Sequence, residues 1–235
     1  MAKLDWMLHR FKTRMRRRLG EAGRVSYSQC GEDMVARFVF DALKIGTPSY
    51  IDIGAHHPTY LNNTYAFYEA GSTGVNIEPD PDLFARFGQE RPRDVNLNIG
   101  IGPERGELEF FVMSARTLNT FSAEEARAAS EKGRVRIERT LMLPVRPVGE
   151  VLAEQFAQAA PDFLSLDVEG LDLAILQAWD FARWRPKLAC VETIVYGGGR
   201  GAGQRSDIGD HLRDCGYFEY AHTHVNTLFV DKAVW

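Results

Sequence analysis

The residues best able to do chemistry lie at the ends of short apolar stretches of the sequence. The first is YIDIGAHHPTY at residues 50–60, where the chemically capable side chains and the turn glycine are Asp52, Gly54, His56 and His57. An apolar strand that ends in glycine is typical of a nucleotide-binding turn, because glycine lets the backbone approach the ligand. The two histidines favour a second interpretation, a metal or catalytic site. A third interpretation is a tight turn between a strand and a helix that has no function.

Two further stretches end in a similar way. Glu78 lies 24 residues after Gly54, at the end of the next apolar run, where an acid can accept hydrogen bonds from both hydroxyls of a ribose. The following run ends at Asn98, and Gly100 and Gly102 after it are small enough to admit an adenine ring. The alternatives are that Glu78 is a helix cap or a surface acid and that the glycines form a plain loop.

A fourth stretch, LSLDVEG at residues 164–170, ends in two acids and a glycine. A buried carboxylate costs free energy unless it is paired or bound to a ligand, so Asp167 and Glu169 indicate function. The alternative is that these acids begin the helix that follows.

A divalent metal ion is compatible with several of these side chains but is not expected. Nitrogen and oxygen ligands could come from His56, His57, His222, His224, Asp167 and Glu169. However, adjacent histidines in a loop point in different directions, and the sequence does not say which way the alternating pair His222 and His224 faces. The metal ligands are therefore left open.

The elements that position these residues follow from hydrophobic periodicity. The spacing predicts helices over 32–43, 62–70, 81–87, 122–132, 148–158, 171–179 and about 208–214, and strands over 49–53, 73–77, 95–99, 107–113, 140–145, 162–166, 188–194, 217–221 and 227–230. Strands that alternate with helices indicate a parallel sheet covered on both faces. The last two strands have no helix between them, so one is expected to be antiparallel. The predicted fold class is α/β, a doubly wound, Rossmann-like sheet that binds ligands at the carboxyl ends of its strands.

The N-terminal segment differs from the rest in charge. Residues 1–24 carry eight Lys and Arg and two acids, a net charge of +6, which leaves −10 on the remainder because the whole chain carries −4. Apolar spacings of three and four predict a basic amphipathic helix with a stripe of Leu4, Met7, Leu8, Phe11, Met15 and Leu19. We predict this helix over 1–24 and a single domain over 25–235. The stripe either packs on the domain or contacts anionic lipid or a glycolipid through residues 1–19; disorder and partner docking are further alternatives.

Composition excludes several classes of protein. The 235 residues are 45% hydrophobic and 26% charged, as in an ordinary soluble globular protein. The acidic main body makes nucleic-acid binding unexpected. Three widely separated cysteines, Cys30, Cys190 and Cys215, favour a reducing compartment over a disulfide framework. No apolar run reaches the roughly 18 residues of a membrane span, and no secretory signal is visible, so a cytoplasmic location is expected.

Four ordered motifs together resemble the FkbM family of S-adenosylmethionine-dependent methyltransferases. They are YSQCGED at 27–33, YIDIGAHHPTYLNNTY at 50–65, IEPDP at 77–81 and SLDVEGLD at 165–172. The resemblance runs from about Tyr27 to the closing strand NTLFV at 226–230. It implies a class I methyltransferase fold of about seven strands with a terminal antiparallel strand. It also implies O-methylation, often of a sugar or polyketide hydroxyl.

The resemblance also implies roles for particular residues. Contacts with S-adenosylmethionine are implied for Gln29, Asp52, Gly54, Ala55, His56, Asn63, Thr64, Glu78, Pro79, Asn98, Ile99 and Asp167. Among these, Asp52, Gly54 and Ala55 would lie against the methionine part. Glu78 would hold the ribose, while Asn98 and Ile99 would border the adenine. Family members commonly carry Asn where this chain has His56, which leaves the detailed role of His56 open.

For catalysis we predict His57 and Asp167. Methyl transfer to a hydroxyl requires in-line positioning and removal of the hydroxyl proton. A histidine suits this task at neutral pH, and Asp167 either orients it or takes the proton itself. The glycine-rich run 196–203 with Arg200 and Arg205 could form a lid over the acceptor, and residues 117–121 could line the same pocket.

The predicted function is O-methylation of a small-molecule or glycan acceptor, namely a saccharide, a glycolipid or a secondary metabolite. One alternative is a dinucleotide-dependent oxidoreductase. The missing G-x-G-x-x-G counts against it, because a pyrophosphate needs close backbone approach. The other alternative is a binding module that keeps the cofactor fold without catalysis.

Overall fold

The computed structural model describes residues 23–133, 135–194 and 205–235. The predicted basic helix, apart from its last two residues, and the glycine-rich run 196–203 lie outside the described residues. None of the helices within the described ranges is long and apolar enough to cross a membrane.

The described ranges contain eight α-helices, ten strands and one short 3-10 helix at Arg116–Leu118. The helices are α1 Glu32–Ala42, α2 Tyr65–Ala70, α3 Pro81–Phe84, α4 Phe87–Glu90, α5 Ala123–Glu131, α6 Val148–Gln155, α7 Asp172–Ala178 and α8 Ser206–Asp214. The strands are β1 Tyr50–Ile53, β2 Gly74–Ile77, β3 Val95–Leu97, β4 Gly100–Ile101, β5 Gly106–Met113, β6 Ile137–Arg146, β7 Phe163–Leu166, β8 Leu188–Glu192, β9 Tyr217–His222 and β10 Asn226–Asp231.

Seven strands form the main sheet in the order β3-β2-β1-β7-β8-β10-β9. The first five are parallel to one another, and β10 runs antiparallel to both of its neighbours. This confirms the predicted α/β sheet with a terminal antiparallel strand. The chain order reverses between β1 and β7, which is where a doubly wound sheet opens a crevice for ligands.

Apolar layers on both faces hold this sheet in place. Helices α6, α7 and α8 pack on one face through Val151, Leu176 and Leu212, which are fully buried. On the other face, α1 and α2 pack through residues that include Phe40 and Phe67. Strands β1, β7 and β8 are buried along their whole length, so their sequences are mostly apolar, with Asp52, Ser165 and Glu192 as the polar exceptions.

A second sheet stands beside the main one in the order β4-β6-β5. Strands β5 and β6 pair antiparallel over almost their whole length, while β4 pairs parallel with β6. The sequence predicted extended segments at 107–113 and 140–145 but not this separate sheet, because periodicity does not reveal which strand a segment pairs with.

Two predicted helices differ from the observed ones. The helix predicted over 62–70 begins at Tyr65, because the side chain of Asn62 accepts hydrogen bonds from the backbone N–H groups of Thr64 and Tyr65 at 3.0 and 2.7 Å. The helix predicted over 81–87 is two single turns, Pro81–Phe84 and Phe87–Glu90.

Candidate active site

A cleft opens at the carboxyl ends of β1, β2 and β7 and encloses about 990 Å³, including space open to solvent. Its wall combines strand ends of the main sheet with part of the second sheet. The lining residues are Gln29, Asp52, Gly54, Ala55, His56, Leu61, Asn62, Asn63, Glu78, Pro79, Leu83, Ile101, Phe110, Arg116, Thr117, Asn119, Thr120, Phe121, Ser165, Asp167, Val168, Glu169 and Leu171.

The turn after β1 is packed tightly between its neighbours. The backbone N–H groups of Gly54 and Ala55 both donate to the carbonyl of Ile77 at 3.0 Å. Gly54 has a φ of 80°, and a Cβ placed there would lie 1.8 Å from the carbonyl oxygen of Asp167. Only glycine fits this position, because both the backbone conformation and the close approach exclude a side chain.

Glu78 joins the tips of β1 and β2. It is 4% exposed, and its two carboxylate oxygens accept the backbone N–H groups of His56 and Asp80, each at 2.7 Å. Burial raises the pKa of Glu78 to about 8, although these hydrogen bonds act in the opposite direction. Each oxygen keeps a second lone pair that can accept a ligand hydroxyl.

Asn98 lies behind this tip. Its amide donates to the backbone carbonyls of Glu78 and Pro79 at 2.8 and 2.9 Å. It therefore fixes the backbone that carries Glu78 and does not line the cleft itself.

Asp52 stands at the floor of the cleft and is held by the loop that follows it. One of its oxygens accepts from the amide of Asn62 at 3.2 Å and from the hydroxyl of Thr64 at 2.8 Å. The Asn62 amide also donates to the carbonyl of Ala55 at 3.2 Å. Burial raises the pKa of Asp52, while the hydrogen bond from Thr64 acts to lower it.

A group of three carboxylates lies at the β7 end of the cleft. Oxygen atoms of Asp167, Glu169 and Glu192 lie within 4.8 Å of one another. Burial, followed by the neighbouring charge of Glu192, raises the pKa of Asp167 well above its ordinary value. Burial and the charge of Asp167 raise the pKa of Glu169 to about 10. Of the described residues, these three are best placed to hold a cation.

A segment that we call the strap, residues 116–121, crosses the mouth of the cleft. At one end, Arg116 and Asn119 donate to the buried carboxylate of Asp80 at 2.6 and 2.9 Å. At the other end, the hydroxyl of Thr120 donates to the carbonyl of Glu169 at 2.7 Å. The strap therefore ties the β2 tip to the β7 tip.

Apolar side chains line the part of the cleft nearest the strap. They are Leu83, Ile101, Phe110 and Phe121. The rings of Phe110 and Phe121 lie 4.8 Å apart, and a Cβ at Gly100 would lie 2.4 Å from the Phe121 ring. The space above Gly100, which the sequence left open for an adenine ring, is therefore filled by Phe121.

His57 lies outside the residues that line the cleft. Its Nδ1 accepts the backbone N–H groups of Thr59 and Tyr60 at 3.1 Å, and its Nε2 faces the guanidinium of Arg86. Burial, followed by the charge of Arg86, lowers the pKa of His57. Nδ1, the nitrogen that could accept a proton, is thus already engaged by two backbone donors, and Nε2 lies against a cation, so this arrangement gives no support to His57 as the catalytic base.

The structure brings most of the sequence-predicted residues together. Those that line the cleft are Gln29, Asp52, Gly54, Ala55, His56, Asn63, Glu78, Pro79 and Asp167. Those that do not are His57, Thr64, Asn98 and Ile99. Thr64 and Asn98 act from behind through hydrogen bonds to Asp52 and to the β2 tip, and Ile99 packs against the core.

Sequence reasoning missed several lining residues. Asn62 precedes the predicted residue Asn63 and was missed. Asn is a common helix-capping residue, and this property could have indicated that Asn62 holds the loop before α2. Residues 117–121 were expected at the pocket from their position alone, and all but Leu118 line it. Phe110 and Arg116 come from the second sheet and the 3-10 helix, and nothing in the spacing of the sequence indicates that they return to the cleft.

The chemistry of the cleft fits S-adenosylmethionine, which combines an apolar base, a ribose and a sulfonium cation. The carboxyl groups of Asp52, Glu78, Asp167 and Glu169 suit a ligand with a cation and hydroxyl groups, because a bound cation favours their charged form, and the apolar wall suits a base. Among the described lining residues the only Arg or Lys is Arg116, which is already paired with Asp80. Such a surface disfavours the anionic pyrophosphate of a dinucleotide.

The fold and site define the class: an α/β protein with an acidic cofactor cleft at the carboxyl edge of a seven-stranded sheet. The family of methyltransferase FkbM domains matches residues 52–218. The chain belongs to this family and is a methyltransferase that uses S-adenosylmethionine. The motif at 27–33 lies before the matched range, although Gln29 within it lines the cleft.

Solved methyltransferase structures are similar to the chain only at low identity. The TehB-like SAM-dependent methyltransferase from Corynebacterium glutamicum is 13% identical, with a TM-score of 0.42 and coverage of 95% of this chain and 97% of that one. The 1,6-didemethyltoxoflavin-N1-methyltransferase of Burkholderia thailandensis is 10% identical, with a TM-score of 0.43 and coverage of 94% and 88%. An O-methyltransferase from Bacillus cereus is 11% identical, with a TM-score of 0.40 and coverage of 89% and 81%. No curated protein sequence matches the chain. Neither acceptor nor chemistry follows from likenesses this weak.

Proposed function

We propose that the protein transfers the methyl group of S-adenosylmethionine to a hydroxyl of a saccharide, a glycolipid or a secondary metabolite. The observation that carries this proposal is Asp167, a carboxylate with a strongly raised pKa that lines the cofactor cleft. Transfer to a hydroxyl requires removal of a proton from a group whose pKa resembles that of water, roughly 16. A neutral amine needs no base before it attacks, so a carboxylate base in the cleft favours O-methylation.

The residues divide this work between binding and proton transfer. S-adenosylmethionine supplies an activated sulfonium methyl group. Glu78 accepts hydroxyl donors at one end of the cleft, and Asp52 and Ala55 line its floor. In its ionised form, which a bound sulfonium cation favours, Asp167 would accept the hydrogen bond of the acceptor hydroxyl and take its proton as the O–CH₃ bond forms and the S–CH₃ bond breaks, which leaves S-adenosylhomocysteine. A carboxylate with a raised pKa is a stronger base than an ordinary one, so it is better matched to this task near neutral pH.

The acidic cleft also bears on the acceptor class. Carboxylates accept hydrogen bonds from the hydroxyls of a sugar and repel a phosphate or carboxylate. A neutral polyol therefore suits the described lining better than an anionic acceptor does. A cytoplasmic location, with contact between residues 1–19 and a membrane or glycolipid, belongs to the same proposal and is supported by the sequence alone.

The test begins with calorimetry of S-adenosylhomocysteine and then measures methyl transfer. A panel of free sugars, glycolipid head groups, polyketide alcohols and matched amines is incubated with S-adenosylmethionine, with and without EDTA. Formation of S-adenosylhomocysteine is followed by mass spectrometry. We expect transfer to a hydroxyl acceptor, and transfer only to amines would refute the proposal.

Variants assign the roles. Asp167→Asn should keep S-adenosylhomocysteine binding and slow methyl transfer by roughly 100-fold or more, in the range of general-base contributions. Glu78→Ala should lose binding. Asp210→Asn removes an exposed carboxylate outside the cleft and serves as the matched control. Full activity in Asp167→Asn would remove Asp167 from the mechanism.

A further inference from the structure

Arg91 is a completely buried cation that lies beneath the floor of the cleft. Its side chain is 0% exposed, and its Nε donates to the equally buried carboxylate of Asp94 at 2.8 Å. It does not line the cleft. A buried charge is costly unless every donor finds a partner, so the other contacts of Arg91 show what it holds in place.

The guanidinium joins four separate pieces of the chain. Its Nη1 donates to the carbonyl of Pro58 at 2.9 Å and to the side-chain oxygen of Asn62 at 3.3 Å. Its Nη2 donates to the hydroxyl of Tyr50 at 2.8 Å and to the hydroxyl of Thr64 at 3.1 Å. Nη2 also donates to the side-chain oxygen of Asn76 at 3.3 Å. One side chain thus connects β1, the loop after it, the start of α2 and β2.

These partners of Arg91 are the residues that hold the cofactor floor. Asn62 donates to Asp52 and to the carbonyl of Ala55, both at 3.2 Å, and Thr64 donates to Asp52 at 2.8 Å. Asp52, Ala55 and Asn62 line the cleft. Arg91 therefore contacts one cleft-lining residue, Asn62, directly and reaches Asp52 by way of Asn62 and Thr64, which are also hydrogen-bonded to each other at 3.0 Å.

Aromatic rings close the remaining sides of the guanidinium. The rings of Tyr50, Tyr65 and Tyr68 lie 5.4, 5.7 and 4.7 Å from its central carbon. A planar fork with five donors can serve all these partners at once, whereas a lysine offers a single ammonium. The site is built for arginine in particular.

We propose that Arg91 is a positioning residue for the cofactor, which holds Asn62 and Thr64 so that Asp52 and Ala55 are in place before the cofactor arrives. The proposal rests on S-adenosylmethionine as cofactor and not on the identity of the acceptor. The energetic basis is preorganisation, because a loop that is already ordered loses less freedom when the ligand binds.

The experiment compares Arg91→Lys with a matched control, Arg185→Lys. Arg185 also makes a two-pronged contact with a carboxylate, Asp231, at 2.9 and 2.7 Å and lies over a tyrosine ring, but it is remote from the cleft. The free energy of unfolding is measured by urea denaturation, and the Kd of S-adenosylhomocysteine by calorimetry. We expect about tenfold weaker binding in Arg91→Lys, equivalent to ~1.4 kcal/mol, and a change below about twofold in Arg185→Lys.

Hydrogen exchange provides a readout that a purely structural role would not move. In Arg91→Lys, amides of residues 55–63 should exchange faster without ligand and recover protection when S-adenosylhomocysteine binds. Amides of β8 should not change. A second variant, Thr64→Val, cuts one route with little change of volume, behind the cleft, and should also weaken binding.

Binding of S-adenosylhomocysteine to the wild-type protein is measured first. This tests whether the protein uses S-adenosylmethionine, independently of any role of Arg91. The proposal is overturned if Arg91→Lys or, where that variant does not fold, Thr64→Val binds S-adenosylhomocysteine within twofold of wild type. It is also overturned if Arg185→Lys loses as much affinity as Arg91→Lys, because binding would then follow overall stability.

Discussion

His56 and Glu169 hold a left-handed backbone conformation at the edge of the cleft, with φ values of 53° and 54°. Residues other than glycine adopt this conformation at a cost, and such residues concentrate at functional sites. At His56 the conformation directs the backbone N–H to Glu78. Burial lowers the pKa of the His56 ring, so the ring is neutral near pH 7. His56 therefore contributes to the site mainly through its backbone N–H, which binds Glu78, and less through its ring.

This role predicts opposite outcomes for two substitutions. His56→Asn should leave the free energy of unfolding and S-adenosylhomocysteine binding nearly unchanged, because Asn adopts positive φ readily and keeps the backbone N–H. His56→Val should lower the free energy of unfolding by about 1–2 kcal/mol, because a β-branched residue resists the left-handed region. Urea denaturation of both variants checks this. Equal stability of the Val and Asn variants would show that the left-handed conformation at residue 56 does not limit stability.

The strand-end acids of the site could be predicted from sequence, and the precise neighbours of those acids could not. Asp52, Glu78 and Asp167 follow apolar runs whose ends are visible in the periodicity. His57 is predicted as the catalytic base because a histidine suits that role at neutral pH, but side-chain direction in a turn depends on backbone angles that the sequence does not show. The catalytic role given to His57 stays a prediction without geometric support.

At the scale of elements, the strap shows how the second sheet contributes to the cleft. It leaves β5, crosses from Asp80 to Glu169 and continues into α5. Asp80 is fully buried, and one of its oxygens accepts both hydrogen bonds from the strap, which come from Arg116 and Asn119. The strap and the β2 tip therefore stabilise each other, and the shape of the cofactor cleft depends on both.

Arg116→Gln should weaken S-adenosylhomocysteine binding by about tenfold, since hydrogen bonds to charged groups contribute roughly 1.5–3 kcal/mol and part of this is retained by Asn119. The matched control is Arg185→Gln, which also removes an arginine that is 34% exposed and paired with a buried carboxylate, Asp231, but lies outside the cleft. Its affinity should stay within about twofold of wild type. Calorimetry measures the Kd of S-adenosylhomocysteine for both variants. An equal loss of affinity in the two would refute a specific role for the strap.

The fold itself was largely accessible from sequence, because buried parallel strands and amphipathic helices leave strong periodic signals. The main sheet and its antiparallel end were predicted, whereas the second sheet was not. Its strands β5 and β6 expose much of their surface, so they lack a continuous apolar pattern. Their partner β4 has two residues, too few for any period to appear.

At the scale of the whole molecule, buried carboxyl groups concentrate at one edge of the sheet. Burial is the largest cause that raises the pKa of Glu78 to about 8, of Asp172 to about 6 and of Glu169 to about 10. By contrast, the hydrogen bond from Arg205 lowers the pKa of Asp207, which lies on α8. The two kinds of group make stability depend on pH in opposite directions.

The sign for Glu78 follows from linkage between proton binding and folding. Its pKa is about 8 in the folded state against an ordinary 4.5, so the folded protein binds this proton more tightly than the unfolded chain does. The resulting stabilisation is complete below about pH 4.5 and is lost as the pH rises towards 8. The carboxyl of Asp207, whose pKa is lowered, changes its contribution to stability only below its ordinary pKa. It therefore does not contribute to the loss of stability between pH 4.5 and pH 8.

The ligand-free protein should therefore lose thermal stability between pH 5 and pH 8, and Glu78→Gln should lose less over the same range, because the amide has no proton to release. Glu150→Gln, at an exposed surface position, is the control and should follow the wild type. Thermal unfolding at closely spaced pH values measures both slopes. If Glu78→Gln declines as steeply as wild type, Glu78 does not hold its proton in the folded state. Its carboxylate would then be charged at neutral pH even before a ligand binds.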